Sequence, residues 1–239
     1  MQIGPFIFKP GLLPSLVTLV LLVLLTSLGF WQLDRAEQKR ALLSDYRKGE
    51  GAVSIPIVGK IEFTEGLKYQ MASLKGRYET HRQILLDNRT SNGMAGYHVV
   101  TPLRLKDGAG ILVNRGWIGI GESRDVLPDI VVDDQFRDIQ GRLKPIAEKV
   151  FRLGEELPRE QWPYRIQHIN IESISQELGY SLIPFVVLLS SDQSDGFVRD
   201  WKPLTFGPER NQGYAVQWFG LAVALLFIYI IVNTSRENN

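Results

Sequence analysis

Few of the residue types that carry chemistry occur in a usable arrangement. The three histidines, His81, His98 and His168, are scattered and share no metal-ligand spacing. There is no HExxH, no GxSxG and no GxxxxGK[ST]. The glycines of Gly116-Trp117-Ile118-Gly119-Ile120-Gly121 lack the spacing and the following helix of a dinucleotide loop. His98, in the β-like run GYHVVTPL, reads as solvent-facing or satisfied in a core. His81 lies in a charged, turn-like stretch, and His168 falls on a presumed strand. Cysteine is absent, which excludes disulfides, thiol catalysis and thiolate metal sites. Carboxylates are plentiful but form no recognisable pair, and Asp133-Asp134 reads as a solvated loop after Pro128. Two stretches draw more interest. Asp87-Asn88-Arg89 and Asn114-Arg115-Gly116-Trp117 each end a β-like run with polar residues and an arginine. Such an arginine could hold a carboxylate in bidentate fashion, or belong to a structural Arg–Asp network. No nucleophile, base and orienting group fall together, so the residues give no argument for an enzyme.

The elements that would position these residues begin with two apolar runs. Leu12–Leu33 and Tyr214–Val232 carry no charged side chain. At 1.5 Å per residue each is long enough to cross a hydrocarbon core of about 30 Å. The first exceeds the usual core of a signal peptide, and Thr26-Ser27-Leu28-Gly29 makes a poor cleavage site, so it reads as a retained anchor. Tyr214 and Trp218 near one end of the second run suit a membrane interface better than a buried core. The chain then divides into a tail (1–11), a span (12–33), an extramembrane domain (34–213), a second span (214–232) and a tail (233–239). The expected fold is membrane-anchored α+β, with two terminal transmembrane helices flanking a mainly antiparallel β domain.

Charge says little about partners. The 27 Lys and Arg nearly balance the 26 Asp and Glu, giving a net charge of +1, so no strong field steers the chain to nucleic acid. Two spans put both termini on one side. Arg35, Lys39, Arg40, Arg47 and Lys48 follow the first span, while Lys9 and the amino terminus precede it. The positive-inside rule alone would hold the middle domain in the cytoplasm.

Between the spans, residues 34–48 are rich in helix formers and should extend the first helix, with its charges as a solvated face near the headgroups. From Gly51 onward short β-rich runs alternate with Gly, Asn, Asp and Pro. Strands are expected at 57–63, 69–78, 83–87, 97–105, 110–117, 136–143, 166–170 and 184–189. Lys106-Asp107-Gly108 reads as a hairpin turn, 171–179 as a short helix closed by glycine, and 152–164 as an exposed loop. The pattern predicts an antiparallel sheet or a partly closed barrel.

Four fragments, LGFWQLDRAEQK, GYHVVTPL, ILVNRGWI and ERNQGYAVQWFGLA, in this order and with the two-span layout, resemble the surfeit-locus (Shy-type) family of cytochrome c oxidase assembly factors. The resemblance covers nearly the whole chain. It implies a non-catalytic role in maturing the oxidase's largest subunit, through delivery or insertion of heme a. That subunit would be the partner, with heme a synthase as a second and membrane lipid around the spans. It also implies an inner-membrane location with the middle domain in the periplasm or intermembrane space, against the charge count.

The site the resemblance implies lies where the spans meet the domain. Trp31 and Gln32, with Arg35 following, match the family at the first exit; Tyr214, Ala215 and Trp218 match at the second entry. Flat aromatic rings could face a porphyrin, and Arg35 and Arg210 could pair with its propionates. The alternative is that these residues anchor the helices in the interface. One departure stands out: the histidine that many members carry three residues before the tyrosine is Asn211 here, and an amide is a poor iron ligand beside imidazole. Gly29, Gly220, Ala222 and Ala224 are small enough to permit close helix approach. A different class of function, an extracytoplasmic ligand-binding or sensing domain on two helices, fits the same layout.

Overall fold

The computed structural model describes residues 2–3, 6–49, 53–59, 64–121, 123–124, 126–146 and 162–236. They fall into two compact units, Met1–Ser44 with Pro203–Asn239, and Asp45–Lys202.

The first unit is a helical hairpin with a small sheet at the chain ends. Strands β1 (Gln2–Ile3), β2 (Phe6–Phe8) and β11 (Thr234–Arg236) pair antiparallel. Helix α1 runs from Leu12 to Lys48 and α3 from Pro208 to Val232. Both are long and apolar enough to cross a membrane. The extension of the first helix through residues 34–48 is as expected from their composition. Each helix shields a narrow seam. On α1 it comprises Ser15, Thr18, Leu22, Leu25, Gly29, Gln32, Ala36 and Lys39; on α3, Pro208, Asn211, Ala215, Trp218, Ala222, Leu225 and Tyr229. Steps of three and four alternate, the seven-residue pattern of two helices that wind around each other with a left-handed twist. Gly29 leaves room there: a Cβ would stand 2.6 Å from the far edge of the Phe219 ring, which would have to turn aside. Of the four small residues, Gly29 and Ala222 are buried and Gly220 and Ala224 are exposed.

The second unit is built on one mixed sheet. Its strands are β3 (Ile55–Ile57), β4 (Met71–Tyr78), β5 (Ile84–Ser91), β6 (Met94–Leu105), β7 (Gly110–Gly119), β8 (Phe136–Pro145), β9 (Tyr164–Ile166) and β10 (Leu182–Leu189), in the order β3-β4-β8-β10-β7-β6-β5-β9. An additional antiparallel pairing of Gly76–Tyr78 with Leu103–Leu105 joins β4 to β6. Five strands, β4, β8, β10, β7 and β6, thereby close into a ring. Most neighbours are antiparallel, while β10–β7, β3–β4 and β5–β9 are parallel. The expected mainly antiparallel α+β fold is the one observed, and the barrel closes.

Period-two alternation fills the ring. Ala72, Leu74 and Tyr78 of β4, Leu103 and Leu105 of β6, Ile111 and Val113 of β7, Ile139 and Leu143 of β8, and Ile183, Phe185, Val187 and Leu189 of β10 form one buried cluster. The intervening Val100, Leu112 and Val186 point outward and are covered by Ile174 and Leu178 of α2 (Ile171–Leu178). Burial on both faces explains why β7 and β10 read as continuous apolar runs. Asn170 caps α2 by accepting from the Ser173 amide, and Gly179 closes it in the left-handed conformation.

Two expectations shift. Strand 166–170 is displaced to Tyr164–Ile166, which leaves His168 in an exposed bend. The segment expected to end at Asp87 continues to Ser91 and turns through Asn92-Gly93, both at positive φ, into β6. Asn-Gly is a strong hairpin signal and marks the turn in the sequence. Asp107-Gly108 forms the next hairpin as expected, with Gly108 at φ 92°. Residues 60–63 of the first expected strand, and most of the expected loop 152–164, lie outside the described residues.

Candidate functional site: one flank of the helical hairpin

Asn211 sits at the centre of a polar clasp between the helices. Its Nδ2 donates to Gln32 Oε1 at 2.6 Å, and its Oδ1 accepts from Lys39 Nζ at 2.7 Å. Because an ammonium only donates, Lys39 fixes which end of the Asn211 amide faces it, and the NH2 must point to Gln32. At the far end of the pair the hydroxyls of Ser15 and Tyr229 lie 2.6 Å apart. Buried or half-buried polar contacts of this kind set register as well as affinity.

These contacts fix which residues stand abreast. With Ser15 facing Tyr229 and Gln32 facing Asn211, Trp31 lies level with Tyr214, and Arg35 level with Arg210. At about 3.6 residues per turn, Trp31 and Arg35 lie on one flank of the α1 seam. In an antiparallel pair that flank coincides with the one carrying Arg210 and Tyr214 on α3. The opposite flank is occupied by Phe30 and Phe219, edge to face at 5.3 Å. Trp31 is 52% exposed and Tyr214 41%. Trp218 is half-buried at the seam, one turn further along the apolar run than Tyr214. The Arg35 guanidinium donates to Gln38 Oε1 at 2.9 Å. The Arg210 guanidinium lies 4.2 Å from the Phe206 ring centroid and 5.9 Å from that of Tyr214. Gln32 is turned the other way, into the clasp.

The hairpin therefore gathers Trp31, Arg35, Arg210 and Tyr214 on one side, with Trp218 at its edge and Gln32 behind. Two exposed rings below two guanidiniums suit a flat apolar body with anionic substituents. Lys39 was expected on a solvated face; it is half-buried because it lies seven residues from Gln32 on the same seam. The Gly29, Gln32, Ala36, Lys39 spacing carries that information in the sequence.

The remaining candidates belong to the second unit. Arg115 is 2% exposed and plugs one end of the barrel. Val99 pairs with Gly116 and Val100 with Asn114, so Arg115 is the extra residue of a bulge, and Gly116 takes φ 121°. Its guanidinium donates to Asp195 O at 2.7 Å, Gln83 Oε1 at 2.9 Å and Ile130 O at 3.0 Å. It holds loops to the barrel. Asp87 pairs with Arg124 at 2.7 Å rather than with its neighbour Arg89. Asp133 is exposed and pairs with Arg137, which also binds Asp195. Among the described residues no cluster of His, Asp and Glu could hold a metal.

Comparison with known proteins places this geometry in a family. Residues 19–223 match the profile of the SURF1 family. A SURF1-like protein of Rickettsia conorii is 25% identical over 224 residues, covering 91% of this chain and 90% of that protein. A SURF1-like protein of Dictyostelium discoideum is 31% identical over 226 residues, covering 90% of this chain and 73% of that protein. Surfeit locus protein 1 of Homo sapiens is 24% identical over 233 residues, with 89% and 75% covered. The match takes in both apolar helices for most of their length and the whole barrel between them, so this chain belongs to the SURF1 family.

Proposed function

We propose that this protein is an assembly factor for cytochrome c oxidase that acts on the largest subunit and assists delivery or insertion of heme a. It works by binding and positioning, and turns over no substrate. Membership of the SURF1 family supports the assembly role. The observation that carries the heme reading is the shared flank: Trp31 level with Tyr214, Arg35 level with Arg210, and Trp218 one turn deeper. Aromatic faces suit a porphyrin and guanidiniums suit its carboxylates. The fit is partial. The family's histidine position holds Asn211, whose amide is engaged by Gln32 and Lys39 and supplies no imidazole. Iron ligation therefore falls to the partner, and this chain's residues hold the edge and the carboxylates. Both apolar helices span the inner membrane in this reading, with heme a synthase as a second partner. The barrel lies on the outer side, against the charge count, because short flanks bias orientation without dictating it.

Deleting the gene in cells that express an aa-type oxidase should lower the heme a band of the membranes selectively, with b-type hemes unchanged. Complementation with Tyr214→Asp, which puts a charge on the flank, should restore less heme a than His98→Ala. Equal restoration by the two variants would remove the flank from the function, and an unchanged heme a signal on deletion would remove the oxidase.

A further inference from the structure

We propose that Phe206 is a positioning residue for Arg210: its ring takes one face of the guanidinium and leaves the in-plane N–H edge for a carboxylate. This rests on the heme reading above and adds a residue and a selectivity to it. Arg210 meets a propionate and not the flat body of the porphyrin.

The entry to α3 is built by Phe206-Gly207-Pro208. Gly207 is the N-cap, extended at φ −65° and ψ 172°, and no side chain caps the helix there. Pro208 follows in the first turn, buried, with its φ fixed by the ring. These two residues set the direction from which Phe206 arrives. Phe206 thus occupies the position before the cap, whose side chain commonly packs forward onto the first turn. Here it meets Arg210. The guanidinium carbon lies over the Phe206 ring at 4.2 Å from its centroid, and 5.9 Å from that of Tyr214. Phe206 is 55% exposed, so packing of a core does not account for its place. The helix dipole does not hold Arg210 either, because a cation in the first turn faces the positive end. Glu209, the adjacent acid in sequence, is folded back over Gly207, where a Cβ would collide with its carboxylate.

A guanidinium divides its surface between two uses. Its faces stack on aromatic rings, and its five N–H donors lie in its plane. At 4.2 Å the Phe206 ring and the guanidinium are in contact, and no second flat group fits between them. A carboxylate arriving in the plane meets parallel donors and does not compete with the stack. Arg35, the counterpart on α1, is held differently, by a bond to Gln38 that occupies one of its donors. The stack on Phe206 occupies none. It also removes rotamer freedom from a long side chain before the ligand arrives, so less is lost on binding.

Metal-free deuteroporphyrin IX and its dimethyl ester are titrated into the full-length protein in zwitterionic nanodiscs, with empty discs subtracted and tryptophan quenching as the signal. The wild type should prefer the free acid over the ester about tenfold, since charge-assisted hydrogen bonds are lost with the charge. Phe206→Leu should cut that preference about threefold, the scale of an exposed cation–π contact, and leave the ester's affinity unchanged. Phe206→Tyr should keep the preference. Arg210→Gln should lower it further, and Phe206→Leu should then add nothing in that background. A full preference in Phe206→Leu, an equal loss for both porphyrins, or an added loss in the Arg210→Gln background overturns the positioning role and leaves the heme reading standing. Equal wild-type affinity for acid and ester overturns it too. A wild type that binds neither porphyrin removes the heme reading and this inference with it.

Discussion

Arg115→Met tests whether the charged plug at the barrel end stabilises the domain. Methionine is of similar length and flexible enough to fill the space, so the change removes donors rather than volume. Gln83 Oε1 keeps a donor, the Thr101 hydroxyl at 3.0 Å. The carbonyls of Asp195 and Ile130 lose theirs. Each buried acceptor left unsatisfied costs about 1–3 kcal/mol. Against this, the variant no longer buries a cation, which returns part of that sum. The expected net loss is about 3 kcal/mol, and at about 2–4 °C per kcal/mol for a domain of this size Tm should fall by about 6–12 °C. Thermal unfolding of the full chain in detergent, followed by near-UV circular dichroism, reads this directly. Lys75→Met is the comparator. Its ion pair with Asp138 is 62% and 55% exposed, and its loss should cost less than about 1 kcal/mol. If Arg115→Met also stays within about 1 kcal/mol, the desolvation of the guanidinium cancels its hydrogen bonds and the plug stabilises nothing.

Three further outcomes follow from the geometry. His98 has a folded pKa of about 4 against an ordinary 6.5, so the unfolded chain binds the extra proton. Its contribution is full above pH 6.5 and is lost as pH falls toward 4, by up to roughly 3 kcal/mol; urea unfolding at pH 4.5 and 7.0 should show this loss in the wild type and not in His98→Gln. Gly29→Leu should destabilise the helix pair by about 1–3 kcal/mol, and Phe219→Ala in the same chain should return part of it; strict additivity in a double-mutant cycle would mean that the two residues do not touch. Asn211→His breaks the clasp and installs an imidazole, so the purified variant mixed with heme a should show a ligand-shifted Soret band that the wild type lacks, and identical spectra would mean that position 211 does not face the bound heme.

Much of this was legible in the sequence, for identifiable reasons. The two helices declare themselves because hydrocarbon demands long uninterrupted apolar runs. The barrel strands were visible where turn residues punctuate them, as at Asp107-Gly108. Closure was not legible, because the pairing of Gly76–Tyr78 with Leu103–Leu105 is non-local and leaves no periodic mark. The role of Arg115 was hidden for a similar reason: two residues beyond Val113 it follows the alternation onto the inner face, but the carbonyls that receive its donors, those of Asp195 and Ile130, lie 80 and 15 residues away in the sequence. On the hairpin, the residues of the flank were picked out by their types and by family resemblance. Their shared side depends on the register, which the partners of Asn211 and Ser15 set. Lys39 was misplaced because a charged residue beyond an apolar run looks solvated unless the seven-residue step from Gln32 is noticed.

The position of β10 has a consequence for biogenesis. It is the last strand of the domain to leave the ribosome, yet it lies between β8 and β7, made much earlier. Until Leu189 has emerged, those two strands present open edges, the kind that recruit other chains. The domain therefore cannot mature progressively from its amino-terminal end. It waits, incomplete, while α3, beginning only at Pro208, is still being synthesised. A premature stop anywhere upstream of β10 would yield a sticky fragment tethered by α1, a substrate for quality-control proteases, rather than a smaller working domain.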